Sequence, residues 1–97
     1  MSTKKTQKIS VITVNYNVAK YIERLICSLK KIDKIIKEII VVDNNSNDVH
    51  LLEKGRKIVL IKNKTNFGFA KAVNQGIKIS KCDIVLLINP DCYLENT

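Results

Sequence analysis

Two acidic residues stand where a short aliphatic run stops. Asp43 follows Glu38-Ile39-Ile40-Val41-Val42 directly, and Asp91 follows Ile84-Val85-Leu86-Leu87-Ile88 across Asn89-Pro90. A carboxylate at the end of a buried strand can accept hydrogen bonds from a ligand or hold a hard divalent cation. Two more polar clusters, Asn15-Tyr16-Asn17 and Asn66-Phe67-Gly68, follow two other aliphatic runs. Any one cluster has a plain structural reading, because Asn, Asp and Ser make turns and caps. Four at equivalent places shift the balance toward a site.

The elements that must carry these clusters alternate along the chain. Strands are expected over residues 8–14, 38–42, 58–61 and 84–88, from short β-branched or aliphatic runs. From Val18 to Ile32, Val18, Tyr21, Ile22, Leu25, Ile26, Leu29 and Ile32 recur at three- and four-residue steps, the mark of an amphipathic helix. Asn17 suits its N-cap. A short helical segment through Val49–Leu52 with Asp48 as cap is expected, closed by Gly55. A further helix, from about Phe69 to Ser80, presents Phe69, Val73 and Ile77 on one side. Runs without alternation indicate strands buried on both faces, as in a parallel sheet covered by helices. Strand–helix alternation gives the α/β class. Ligands then bind beyond the carboxyl ends of the strands, where all four clusters fall.

Composition narrows the function. A chain of 97 residues with 45% hydrophobic and 27% charged residues suits one small globular domain. We divide it into a polar tail, residues 1–7, and a domain, residues 8–97. No apolar run reaches the roughly 18 residues of a membrane span, and the polar start argues against a secretory signal. The excess of 17 Lys+Arg over 9 Asp+Glu gives +8, which favours anionic partners. Only Arg24 and Arg56 are arginines, whereas base-reading proteins lean on Arg. A dispersed lysine surface is the better reading, and a basic nucleic-acid-binding module is the rival. Cys27, Cys82 and Cys92 lack metal or disulfide spacing. Cys27 and Cys82 read as small buried or half-buried thiols in a reducing, cytoplasmic setting.

Known phosphate motifs are missing: no G-x-G-x-x-G, no G-x-x-x-x-G-K-[ST], and no H-E-x-x-H or G-x-S-x-G either. A phosphate ligand would need another anchor. The economical one is a divalent cation shared between a carboxylate and a diphosphate, with Asp91 as the carboxylate.

The motifs together carry a resemblance. Ser10-Val11-Ile12-Thr13-Val14-Asn15-Tyr16-Asn17 and Ile39-Ile40-Val41-Val42-Asp43-Asn44-Asn45-Ser46-Asn47-Asp48 resemble the opening of the family 2 glycosyltransferases. Asn66-Phe67-Gly68-Phe69-Ala70-Lys71-Ala72-Val73-Asn74-Gln75-Gly76-Ile77 and Leu86-Leu87-Ile88-Asn89-Pro90-Asp91 continue it, the last in the form of the rhamnosyltransferase-like branch. The resemblance runs from Lys8 to Tyr93. It implies a GT-A fold, Rossmann-like and three-layered α/β/α, with a parallel sheet of order 3-2-1-4. It implies inverting transfer of a sugar from a UDP- or dTDP-linked donor to a glycan or lipid-linked acceptor, with Mn²⁺ or Mg²⁺ as cofactor. Nucleotide contacts are implied for Val14, Asn15, Tyr16, Asp43, Ser46, Gly68, Phe69, Ala70, Asn74 and Asn89, and the metal for Asp91. Asp43 also suits a loop cap through Asn45 and Ser46. Peripheral contact with the inner face of the membrane is a further implication.

Two departures from the family pattern stand out. Asn89 replaces the first acid of the usual Asp-x-Asp metal motif, and Val73 stands where many members have arginine. Lys71, one turn from Asn74, could compensate for the latter but suits a solvated position. The chain reads as the donor-binding part of a longer transferase, with the general base expected beyond Thr97. An open edge on strand 4 would invite self-association.

Overall fold

The computed structural model describes residues 7–52 and 54–94, so the expected tail lies, apart from Gln7, outside the described residues. Four strands, β1 (Ile9–Asn15), β2 (Ile36–Asp43), β3 (Ile58–Lys62) and β4 (Ile84–Leu87), form one sheet in the order β3-β2-β1-β4. Every pairing is parallel, as expected. Helix α1 (Ala19–Leu29) joins β1 to β2, and helix α2 (Phe69–Ile79) joins β3 to β4.

Parallel strands alternate their side chains between two helical layers. On one face Val11, Ile39 and Val41 pack with Ala19, Ile22, Leu25, Ile26 and Leu29 of α1. On the other, Ile12, Val14, Ile40 and Val42 pack against Ala72 of α2. β2, flanked on both edges and both faces, is buried from Glu38 to Asp43. Glu38 and Asp43 are its charged residues, and the Glu38 Oε2 accepts Ser10 Oγ at 2.7 Å and the Lys81 N–H at 2.6 Å. A buried carboxylate needs such partners, and here they tie the α2–β4 connection to the sheet.

Several expectations are corrected. The first helix stops as α-helix at Leu29 and continues as a 3-10 segment, Lys30–Ile35, with Ile32 off helical geometry. Asn17 does not cap it. Asn17 takes φ 57°, and the free N–H groups of Val18 and Ala19 go instead to Asn15 Oδ1 and Asp48 Oδ2. Asp48 thus caps α1 from across the sheet, and its side chain makes no cap bond to the short 3-10 turn Val49–Leu51. Cys27 is exposed and Cys82 half-buried. The inward positions 22, 25, 26 and 29 leave Cys27 on the solvent side.

Helix α2 is rolled from its expected orientation. Ala72 and Gly76 face the sheet, whereas Phe69 and Ile77 are about half exposed. A Cβ on Gly76 would lie 2.9 Å from Ile12 Cγ2. Small residues therefore set how closely the helix seats on β1. Nor is β4 buried on both faces: Ile84, Leu86 and Leu87 are exposed, because β4 is an edge strand that only β1 pairs among the described residues.

Candidate functional site

The chain order reverses between β1 and β4, and ligand sites of open α/β sheets form at such a switch point, beyond the strand carboxyl ends. A cleft of about 560 Å³ lies there, within the roughly 300–1,000 Å³ typical of small-molecule sites. Its walls come from five elements. Val14, Tyr16 and Val18 leave β1, Tyr21 projects from α1, and Asn44 leaves β2. Asn66, Gly68 and Phe69 form the turn into α2, and Asn89, Pro90 and Asp91 leave β4.

The geometry sorts the expected site residues. Val14, Tyr16, Gly68, Phe69, Asn89 and Asp91 are brought together in the cleft wall. Asn15, Asp43 and Ser46 lie beside it in a buried polar knot on the α1 side. Asn15 Nδ2 donates to Asp43 Oδ1 at 2.8 Å, to Ser46 Oγ at 3.2 Å and to Asp48 Oδ1 at 3.1 Å. Asp43 Oδ2 accepts the Ser46 N–H at 3.1 Å, the loop-capping bond expected of it. Ala70 and Asn74 are exposed on α2 and do not line the cleft. Asn74 borders a separate groove with Lys71, Gln75, Ile77 and Lys78. The Lys71 ammonium sits 4.5 Å above the Phe67 ring.

Sequence reasoning left Val18 and Tyr21 out of the site, and named Asn44, Asn66 and Pro90 only within the strand-end motifs, without a contact of their own. Tyr21 read as part of the apolar helix face, yet it is exposed at the cleft. Asn44 has a second duty. Its Nδ2 donates to Gly68 O at 3.2 Å, and its Oδ1 accepts Asn63 Nδ2 at 3.0 Å. Asn63 and Gln75 then exchange amide bonds at 2.7 and 2.8 Å. This amide lattice fixes the Gly68 turn, whose φ of 86° suits glycine. Asn63 directly follows the third strand, one residue after its aliphatic run, and that position was the available signal.

Chemically, the cleft offers the faces of Tyr16, Tyr21 and Phe69 for a planar ring. It offers the Asn44, Asn66 and Asn89 amides for hydrogen bonds. Among the described lining residues Asp91 is the sole charged group, and it is exposed. No group of three His, Cys, Asp or Glu that could hold a metal occurs among the described residues. A cation here would take Asp91, with Asn89 nearby, and complete its shell from a ligand and water. Mg²⁺-type sites, with one or two carboxylates plus substrate phosphates, accept that donor set.

Comparison with known proteins agrees with this geometry. Residues 10–96 match the family model described as Glycosyl transferase family 2. An uncharacterised glycosyltransferase from Haemophilus influenzae is 30% identical over 89 residues, 89% of this chain and 30% of that protein. Residues 1–349 of S. aureus TarS, solved also in complex with UDP, superpose with a TM-score of 0.72. They are 31% identical over 90% of this chain and 28% of TarS 1–349. A mannosyltransferase from Pyrobaculum calidifontis, solved with GDP-Man and Mn²⁺, superposes with a TM-score of 0.75 at 22% identity. It is covered over 29% of its length, and this chain over 92%. The chain thus spans under a third of the length of these relatives.

Proposed function

The chain belongs to glycosyl transferase family 2, and from that premise we propose that it forms the donor-binding part of an inverting transferase. The donor is a nucleoside-diphosphate sugar, a UDP- or dTDP-linked hexose or deoxyhexose. The acceptor is a hydroxyl of a glycan or lipid-linked glycan. The observation that carries the reading is one cleft at the β1–β4 switch point, with aromatic faces on its walls and a lone carboxylate at the end of β4. The UDP complex of TarS, a protein 31% identical over most of this chain, supports a uridine nucleotide.

In this reading Tyr16 and Phe69 flank the base, and the Asn44 and Asn66 amides orient the nucleoside. Asn15, Asp43 and Ser46 hold the strand ends beside it. Each Asp43 oxygen takes one protein hydrogen bond and keeps a second lone pair for a donor group that reaches it. Asp91, with Asn89, would hold a Mn²⁺ or Mg²⁺ ion. When bound, such an ion neutralises charge on the departing diphosphate. No described residue is assigned the general base.

Titrating the chain with UDP and with a single-stranded oligonucleotide at two salt concentrations tests the proposal. Saturable, Mn²⁺-enhanced UDP binding that tolerates moderate salt is the expected result. Oligonucleotide binding that weakens steeply with salt, with no UDP response, would replace it with the nucleic-acid reading.

A further inference from the structure

We infer that Arg24 on α1 is a positioning residue for the Asp91 carboxylate, within a strap that holds the segment leaving β4. The inference rests on the donor-site reading, and its test separates the two. Arg24 Nη2 donates to the backbone oxygen of Asp91 at 3.1 Å. The same guanidinium lies 4.2 Å from the ring centre of Tyr93 and 5.1 Å from that of Tyr21. Tyr21 itself lines the cleft. Farther along the helical segment, Ser28 Oγ accepts the Leu94 N–H at 3.0 Å, and Lys31 Nζ donates to Leu94 O at 2.9 Å. Residues 24, 28 and 31 fall on one helical stripe. That stripe grips the chain from Asp91 to Leu94.

Ile88 and Leu94 at the two ends of the segment pack against the core, whereas Asp91 between them is exposed. Beyond β4, Ile88 N–H bonds Ile12 O at 3.0 Å and Cys92 N–H bonds Asn89 O at 3.0 Å, closing the Asn-Pro-Asp turn on itself. Rotation of that turn would swing the exposed Asp91 side chain away from the cleft. The Arg24 bond to the Asp91 carbonyl and the stack on Tyr93 oppose this rotation at two points of the chain. Arginine suits the task because a planar guanidinium can stack and donate at once. Lysine can do one or the other. Where a single carboxylate serves as the protein's anionic metal ligand, its orientation counts for more than in a site with several.

The test measures UDP affinity by calorimetry in Mn²⁺ and in EDTA, whose ratio is the metal-dependent gain. Arg24→Ala and Arg24→Lys are expected to lower that gain by roughly tenfold, the low end of the loss seen when a group orienting a metal ligand is removed. Affinity in EDTA is expected to hold. Tyr93→Leu, which removes the stack from the other side, should act in the same direction and decides the matter if Arg24→Ala fails to fold. A gain lost in Asp91→Asn but intact in the Arg24 and Tyr93 variants overturns the inference alone. Equal losses with and without Mn²⁺ also overturn it, since they report packing. A wild-type chain with no Mn²⁺ gain overturns the donor-site reading and the inference with it.

Discussion

Asn15 and Asp43 occupy opposed register positions at the ends of β1 and β2, and the Asn15 amide donates to the Asp43 carboxylate at 2.8 Å. Asn15 is fully buried and Asp43 2% exposed. The pair joins the ends of two neighbouring strands beside the cleft, through residues 28 positions apart in sequence. Asn15 also supplies the acceptor for the Val18 N–H that starts α1. One side chain therefore ties strand register and helix entry together beside the cleft.

Asn15→Ala should cost about 2–4 kcal/mol, because it leaves a buried carboxylate, a hydroxyl and a helix N–H short of partners. Urea unfolding checks this. A loss under about 0.5 kcal/mol, the size of an ordinary surface substitution, would mean the knot is hydrated in solution.

Thr13 should behave in the opposite way. It is fully buried, and its Oγ1 has no hydrogen-bond partner among the described residues. Thr13→Val keeps the shape and removes the stranded hydroxyl, so a gain of about 1 kcal/mol is expected. Lower stability in the variant would show that the hydroxyl is satisfied by water.

Gly76 tests the seating of α2. Alanine in a helix interior ordinarily gains about 1 kcal/mol over glycine. Here its Cβ would meet Ile12 Cγ2 at 2.9 Å, so Gly76→Ala should be a net loss of about 1–2 kcal/mol from overpacking. In an Ile12→Ala background the same change should cost less, a coupling that a double-mutant cycle reads. Equal costs in both backgrounds would refute the close approach.

These residues also show how far the fold could be read in advance. Strand number and parallel sense were legible, because short aliphatic runs between polar clusters have few other uses, and the order followed from the family resemblance. Helix α1 was legible from its three- and four-residue spacing. The roll of α2 was not. Hydropathy favours Phe69, Val73 and Ile77 as one face, but only Val73 packs against the core, because close packing on Ile12 demands small residues and Ala72 and Gly76 supply them. The polar knot was hidden for another reason. Which Asn and Asp become buried depends on the pairing of β1 with β2, a contact between distant parts of the chain. Asp48 looked local to its own turn, yet it caps α1. Among the cleft residues, the strand-end clusters were found as clusters, and Val18 and Tyr21 at the start of helix α1 were missed.

The lattice of Asn44, Asn63 and Gln75 should matter for nucleotide affinity, since it fixes the Gly68 turn in the cleft wall. Asn63→Ala is expected to weaken UDP binding by roughly tenfold, the equivalent of about 1.4 kcal/mol, with a modest loss of stability. Unchanged UDP affinity would show that the turn holds its shape without the lattice.

The outer edge of β4 bears exposed Ile84, Leu86 and Leu87, and open apolar edges pair with other chains. Sedimentation of the chain should show concentration-dependent association, reduced by Leu86→Lys. A monomer at all concentrations would contradict this.

The central claim is that the cleft between β1 and β4 binds the nucleotide of a sugar donor, and an NMR titration of the chain with UDP and Mg²⁺ tests it most directly. The amides of Tyr16, Asn44, Gly68, Phe69 and Asp91 are expected to shift together with one saturating curve, and Asp91→Asn to remove the Mg²⁺-dependent part. Shifts gathered instead along the basic β3 edge, around Lys54, Arg56 and Lys57, with the cleft amides unmoved, would contradict the account.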